Sequence, residues 1–151
     1  MALLAQRAHS QGEIRQKLKA AGYMDETADM VLCKLNQNGL VNDEDFAGQW
    51  IEHRTHMRYG PRRIQAELKQ KGLDDSSVEI AMESLPEEEV NENARELIRR
   101  ALRRKKPDED PRKVKQRILS SMIRRGFSWD TVTKAWEAES EDLTDSTFTD
   151  D

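Results

Sequence analysis

Three ten-residue stretches decide how this chain reads: Ile14–Tyr23 (IRQKLKAAGY), Ile64–Leu73 (IQAELKQKGL) and Ile118–Phe127 (ILSSMIRRGF). They align without gaps. Each begins with Ile, has Leu or Met four residues on, Gly four further, and then an apolar or aromatic residue. The i, i+4 spacing puts Ile and Leu/Met on one helical face. The Gly suits the residue just past a helix, where the backbone turns left-handed. The apolar residue after it supplies the hydrophobic contact of a Schellman ending. Self-similarity of this kind along a chain signals an array of repeated units.

Helix starts agree with these ends. Ser10 and Glu13 have the spacing of a capping box. Gly60-Pro61 and Asp110-Pro111 each put Pro at the first helical position behind a permitted cap. A second helix follows each Gly. Its apolar stripe is Ala28, Val31, Leu32 and Leu35 in the first copy, and Val78, Ala81, Met82 and Leu85 in the second. In the third it is Val132, Ala135 and Trp136, failing only at Glu139. Asp25, Ser76 (with Glu79) and Ser128 are the expected caps. A helix also precedes each stretch, marked by Phe46, Ala47, Trp50 and Ile51, and by Ala94, Leu97, Ile98 and Ala101. In the first copy only Met1 to Ala8 remains for it, so that helix is short or its start is missing.

The pattern predicts an all-α chain of nine helices in three tandem three-helix repeats over 1–39, 43–85 and 88–139. Gly39 closes the first, and Pro86 with three glutamates after it marks the second boundary. Residues 140–151 lack periodicity and read as a disordered acidic tail. Units of this size are marginal alone and depend on their neighbours.

Composition supports thin helical layers. Charged residues are 36% of the 151, and the apolar set without Gly is also 36%. A typical domain has about 25% charged and about 45–50% apolar residues. Scarce aromatics and β-branched runs argue against a sandwich or barrel. The single cysteine, Cys33, excludes an internal disulfide framework and a Cys-rich zinc site, and suits a reducing compartment. Beside Leu32, it reads as core packing. The longest apolar run, Met1 to Ala5, is too short for a membrane span or secretory signal, which points to the cytoplasm.

The net charge of −4 conceals segregation. Residues 137–151 carry seven acids and no base, and 73–92 carry eight acids and no base. Residues 95–125 hold 13 Lys/Arg against four acids. Such asymmetry points to a polyanion-facing surface.

The quoted residues carry a resemblance. Asn38–Ala47 (NGLVNDEDFA) followed by Arg54–Gly72 (RTHMRYGPRRIQAELKQKG) is similar to the centre of the RecX regulatory family, and His9–Leu18 (HSQGEIRQKL) resembles its first-repeat motif. The likeness covers residues 2 to about 138. It implies an elongated, curved array that binds the RecA recombinase and its filament on single-stranded DNA. It further implies that the protein blocks filament growth or promotes disassembly, inhibiting ATP hydrolysis, strand exchange and repressor cleavage. No enzymatic activity and no cofactor are implied.

Two basic clusters are the candidate partner- and DNA-binding residues. The first is Arg54, Arg58, Tyr59, Arg62, Arg63, Lys69 and Lys71. The second is Arg99, Arg100, Arg103, Arg104, Lys105, Lys106, Arg112, Lys113, Lys115, Arg117, Arg124 and Arg125. Guanidinium groups recognise phosphate or carboxylate bidentately, and an aromatic ring can stack. The plain alternative for the first cluster is a solvated face with pairs such as Glu67 to Lys71. For the second, it is compensation by the acidic run from Asp74 to Glu92. His53 and His56 share a helical face but lack a third ligand, so no metal is expected. No phosphate loop, carboxylate pair or nucleophile triad stands out. The partner reading is RecA and its filament, with weak non-specific DNA binding, no membrane and a monomeric chain. The alternative is a direct DNA-binding protein with helix-turn-helix-like units.

Overall fold

The computed structural model describes residues 9–148. Eight helices and no strand occur among them: α1 (Gln11–Ala20), α2 (Asp25–Gln37), α3 (Asp43–His56), α4 (Pro61–Gln70), α5 (Asp75–Glu83), α6 (Glu87–Arg104), α7 (Pro111–Arg124) and α8 (Trp129–Phe148). The short helix expected over residues 1–8 lies outside the described residues.

The three decisive stretches end as their spacing requires. Gly22, Gly72 and Gly126, just past α1, α4 and α7, have φ of 93°, 92° and 108°. The next residue's N–H reaches back in each case, from Tyr23 to the Leu18 carbonyl, Leu73 to Leu68 and Phe127 to Met122. Each glycine N–H also donates, to the carbonyls of Lys19, Lys69 and Ile123. These paired bonds are the Schellman motif. At the starts, Ser10 Oγ accepts from the Glu13 N–H at 3.1 Å, Asp110 from Arg112 at 3.0 Å and Ser128 from Thr131 at 3.2 Å.

Two expected caps are displaced. Helix α2 includes Asp25, and Met24 takes the cap position without a side-chain bond. Helix α5 is capped by Asp74, whose carboxylate accepts from the Ser77 N–H at 2.7 Å, rather than by Ser76. A charged acceptor two residues upstream bonds more strongly than a hydroxyl and complements the helix dipole. The same bonds from Ser77 hold the Asp74 carboxyl below its ordinary pKa.

The chain forms two compact units that do not follow its three segments. Among the described residues, one comprises those up to His53 with Gln65–Ser84; the other comprises Arg54–Ile64 with those from Leu85 on. In the first unit, Ile14, Leu32, Leu35 and Val41 form a core joined by Leu18 and Val31. In the second, Val90, Ala94, Ile98, Val114, Ile118, Leu119, Met122, Phe127, Val132 and Ala135 do so, with Trp136 half-buried against them. Phe127 and Ile98 are fully enclosed, and burial of such side chains contributes about 1.5–3 kcal/mol each.

Backbone contacts at glycine hold segments distant in sequence together within each unit. In the first, Gly12 lies on Gly72 so closely that a side chain at either would strike the other's backbone, and the Ser10 hydroxyl donates to the Lys71 carbonyl. In the second, Gly60 lies on the Gly126 carbonyl. There the Gly60 and Arg62 N–H groups donate to the carbonyls of Arg125 and Gly126 at 3.0 and 2.9 Å. The unpaired donors at the start of α4 thus meet the unpaired acceptors at the end of α7, satisfying both.

Two sequence expectations need correcting. Cys33 is exposed, not in the core. The stripe of α2 runs through Ala28, Leu32 and Leu35, and one residue of helical advance turns position 33 out of it. Trp50, which falls on the apolar face of its helix and reads as core, is only half-buried: it stacks on Phe46 with centroids 5.9 Å apart, and its Nε1 donates to Glu67 Oε2 at 2.9 Å. Over the expected tail, the backbone of α8 stays helical through Phe148, side chains are described as far as Glu141, and residues 149–151 lie outside the description.

Candidate anion-binding face

The second unit gathers members of both basic clusters around one ring. Arg54 leaves the last turn of α3, Tyr59 lies in the connection, Arg63 sits in the first turn of α4 and Arg125 caps α7. Their guanidinium carbons stand 3.9, 4.4 and 4.3 Å from the Tyr59 ring centroid. Each such contact is worth about 0.5–1 kcal/mol at an exposed site. The sequence separated Arg125 from Tyr59 by 66 positions; the Gly60–Gly126 contact, with the backbone bonds around it, brings them together.

Arg125 is structural here as well as basic. Its Nε donates to the Arg58 carbonyl and its Nη2 to the Met57 carbonyl, both at 2.6 Å. These carbonyls lie just past the C-terminal end of α3, where a cation is favoured by the helix dipole.

Arg58 is the non-glycine residue with positive φ, 63°, among the described residues. It occupies the post-helix position that Gly22, Gly72 and Gly126 occupy elsewhere, with the Tyr59 N–H donating to the Arg54 carbonyl at 3.0 Å. A side chain there costs about 1–2 kcal/mol. Arg58→Gly is therefore expected to raise unfolding free energy by about 0.5–1 kcal/mol, read from urea denaturation. A fall in stability would show that the guanidinium makes contacts outweighing the strain.

The remaining candidates divide by what they touch. Arg62 and Arg63 are exposed on α4, while Ile64 and Leu68 are fully buried. Lys69 and Lys71 belong to the other unit. Lys69 Nζ is 3.6 Å from Asp75. Lys71 Nζ is 3.7 Å from the buried Glu13 and 5.1 Å from the Trp50 ring centroid. The expected Glu67–Lys71 pair is thus replaced by Trp50–Glu67 and Lys71–Glu13.

Compensation within the second cluster is partial. Arg99 reaches Glu92 at 2.7 Å, Glu96 at 2.6 Å and Glu139 at 3.0 Å. Arg95 also reaches Glu139, at 2.9 Å. Hydrogen bonds from Arg99 to Glu92 and Glu139 push its pKa above the ordinary arginine value. Glu139, the residue that broke the apolar stripe, is 4% exposed and serves as the shared acceptor. From the acidic run expected to compensate, Glu92 makes such a contact; Glu96, Glu109 and Glu139 lie outside it. Arg100 pairs with Glu96 at 3.0 Å and Arg117 with Glu109 at 2.7 Å. Lys115 Nζ stands 5.8 Å from the Trp136 ring centroid. Arg103, Arg104, Lys105, Lys106, Arg112, Lys113 and Arg124 are exposed, and among the described residues no carboxylate pairs with their side chains.

The paired carboxylates impose a pH dependence. The Arg100 hydrogen bond lowers the Glu96 pKa, and the Lys106 backbone N–H, then Arg117, lower that of Glu109. Groups with depressed folded values add stability above their unfolded pKa, about 4.3 for Glu, and lose it as pH falls through the folded value. The melting temperature is expected to drop as pH is lowered through and below that range. Glu109→Gln should flatten its part of the drop in a melting-temperature titration.

Between α6 and α7 lies a groove of ≈ 520 Å³, floored by Leu97, Ala101, Ile118 and Met122 and lined by Arg100, Arg104, Arg117, Arg124 and Arg125. Beside it, between α7 and the start of α8, a hollow of ≈ 400 Å³ is lined by Leu119, Ile123, Arg124 and Trp129. Trp129 is 61% exposed. Sequence reasoning left this residue unassigned; its position just after the Ser128 cap, ahead of the stripe, was the available signal. His53 and His56 are exposed, and no group of three potential metal ligands occurs among the described residues.

Family models for the first, second and third three-helix domains of RecX match residues 1–35, 42–82 and 87–136. This chain belongs to the RecX family. Regulatory protein RecX of Mycobacterium sp. (strain JLS) is 38% identical over 130 residues, covering 83% of this chain and 71% of that protein. Regulatory protein RecX of Stenotrophomonas maltophilia (strain K279a) is 35% identical over 142 residues, covering 94% and 85%. The crystal structure of RecX from Lactobacillus salivarius superposes with a TM-score of 0.82 at 21% identity, covering 92% of this chain and 90% of that one. At that identity the likeness speaks for the RecX fold. No helix among the described residues is long and apolar enough to cross a membrane.

Proposed function

We propose that this RecX-family chain binds the RecA recombinase and its filament on single-stranded DNA. It blocks filament growth or promotes disassembly, and so lowers ATP hydrolysis, strand exchange and RecA-stimulated repressor cleavage. It acts in the cytoplasm as a non-enzymatic monomer without cofactor or metal. The observation that carries this reading is the ordered match of all three RecX domain models along one chain. The Arg103–Lys106 run, Arg112, Lys113 and Arg124, whose side chains have no carboxylate at ion-pair distance among the described residues, together with exposed Arg62 and Arg63, support a surface that meets an acidic protein face or phosphates.

The test is the single-stranded-DNA-dependent ATPase rate of RecA with rising amounts of this protein. The rate is expected to fall. Saturation well below one chain per RecA assigns capping of filament ends; a fall that tracks stoichiometry assigns binding along the filament. An unchanged rate at a molar excess overturns the proposal.

A further inference from the structure

The groove between α6 and α7 and the hollow beside Trp129 share Arg124. Three features of this arrangement bear on what it accepts. The groove carries five guanidinium groups over an apolar floor. Arg100 and Arg117 spend part of their donors on Glu96 and Glu109, and Arg125 on the Met57 and Arg58 carbonyls. Arg104 and Arg124 have no such partner among the described residues. The hollow offers a largely exposed indole and shares its lining with Leu119 and Ile123.

We propose that this surface is a direct site for single-stranded nucleic acid, with phosphates on Arg104 and Arg124 and an unstacked base on the Trp129 indole. Guanidinium groups bind phosphate bidentately. Aromatic side chains beside a basic groove are the stacking platforms of single-strand binding, tolerant of sequence because every base has a π-face. A duplex hides those faces and offers phosphates alone, so the exposed indole favours a single strand. An acidic peptide would satisfy the arginines but leave the indole without a flat partner. The site requires no recombinase, so its test is independent of the proposed function.

The experiment uses the full chain without RecA. Fluorescence anisotropy measures binding of an oligothymidylate of about 16 nucleotides, an abasic oligomer of equal length and an oligoglutamate, at several salt concentrations. Trp129→Ala is expected to weaken oligothymidylate binding about 5- to 100-fold while leaving the abasic oligomer unaffected, and Trp129→Phe to retain most of the affinity. The double variant Arg104→Ala/Arg124→Ala should weaken both oligomers and reduce the slope of log K against log salt by about 1.4. Helical circular dichroism should stay unchanged, since all three side chains are exposed. Equal binding of abasic and thymidylate oligomers by the wild type, or no effect of Trp129→Ala, overturns the stacking site. Tighter binding of oligoglutamate than of either oligomer, lost in the arginine double variant, assigns the groove to an acidic peptide instead.

Discussion

Replacing Gly60 by valine is expected to destabilise the protein by about 3 kcal/mol or more, at the upper end of overpacking costs. The backbone angle of Gly60 is ordinary; the cost comes from space. A Cβ there would enter the Gly126 carbonyl and the Phe127 nitrogen, which are main-chain atoms that no rotamer change can move aside. Relief would require α4 and α7 to separate, breaking the Gly60–Arg125 and Arg62–Gly126 backbone bonds and opening the seat of Tyr59 on Arg125. Gly72→Val should behave alike in the other unit, where the left-handed angle and the collision with Gly12 add. Gly48→Ala is the control. It sits exposed inside α3 with open space around it, and Ala there should stabilise by about 0.5–1 kcal/mol. The measurement is urea denaturation followed by circular dichroism. A Gly60→Val chain as stable as the wild type would mean that the close approach of α4 to α7 does not persist in solution.

Reversing charge on α6 is expected to give opposite results at neighbouring positions. Arg99→Glu should cost about 2 kcal/mol or more in stability. It removes the arginine on Glu92, one of the two on Glu96 and one of the two on buried Glu139, and it sets a fourth carboxylate among them. Arg103→Glu with Arg104→Glu should leave the melting temperature within a few degrees of the wild type, because neither side chain makes a close ion pair among the described residues and Arg103 acts on Glu96 only through space. The same double variant should abolish inhibition of the RecA ATPase at physiological salt, since the field that attracts an anionic partner is reversed there. Loss of inhibition in Arg99→Glu alone would report unfolding, and circular dichroism separates the two. Full inhibition by the double variant would assign this run to solvated surface.

Local features of this protein were legible in order along the chain. The Ile–Leu–Gly register determined three helices and their Schellman ends, because 3.6-residue periodicity and the left-handed preference of glycine act within ten residues. Ser10, Asp110 and Ser128 announced their helix starts for the same reason. The displaced cap at Asp74 shows the limit of that logic: where two capping residues lie two positions apart, the stronger acceptor prevails, and the spacing alone does not rank them. The segregation of charge was also plain, and it marked α6 and α7 as the basic region.

Tertiary structure decided everything that depends on contact across the chain. Gly12 and Gly60 read as ordinary residues near helix starts, yet each is required by a backbone that arrives from more than 50 positions away. Glu139 broke the apolar stripe at the last position of the third repeat. It is a buried acceptor because Arg95 and Arg99 of α6 face it. Two basic clusters separated in sequence meet at Tyr59, while Lys69 and Lys71 turn to Asp75 and Glu13 in the other unit. Which cations remain for a partner was therefore invisible to composition. A charge is neutralised within a few ångströms, and that distance is set by helix packing.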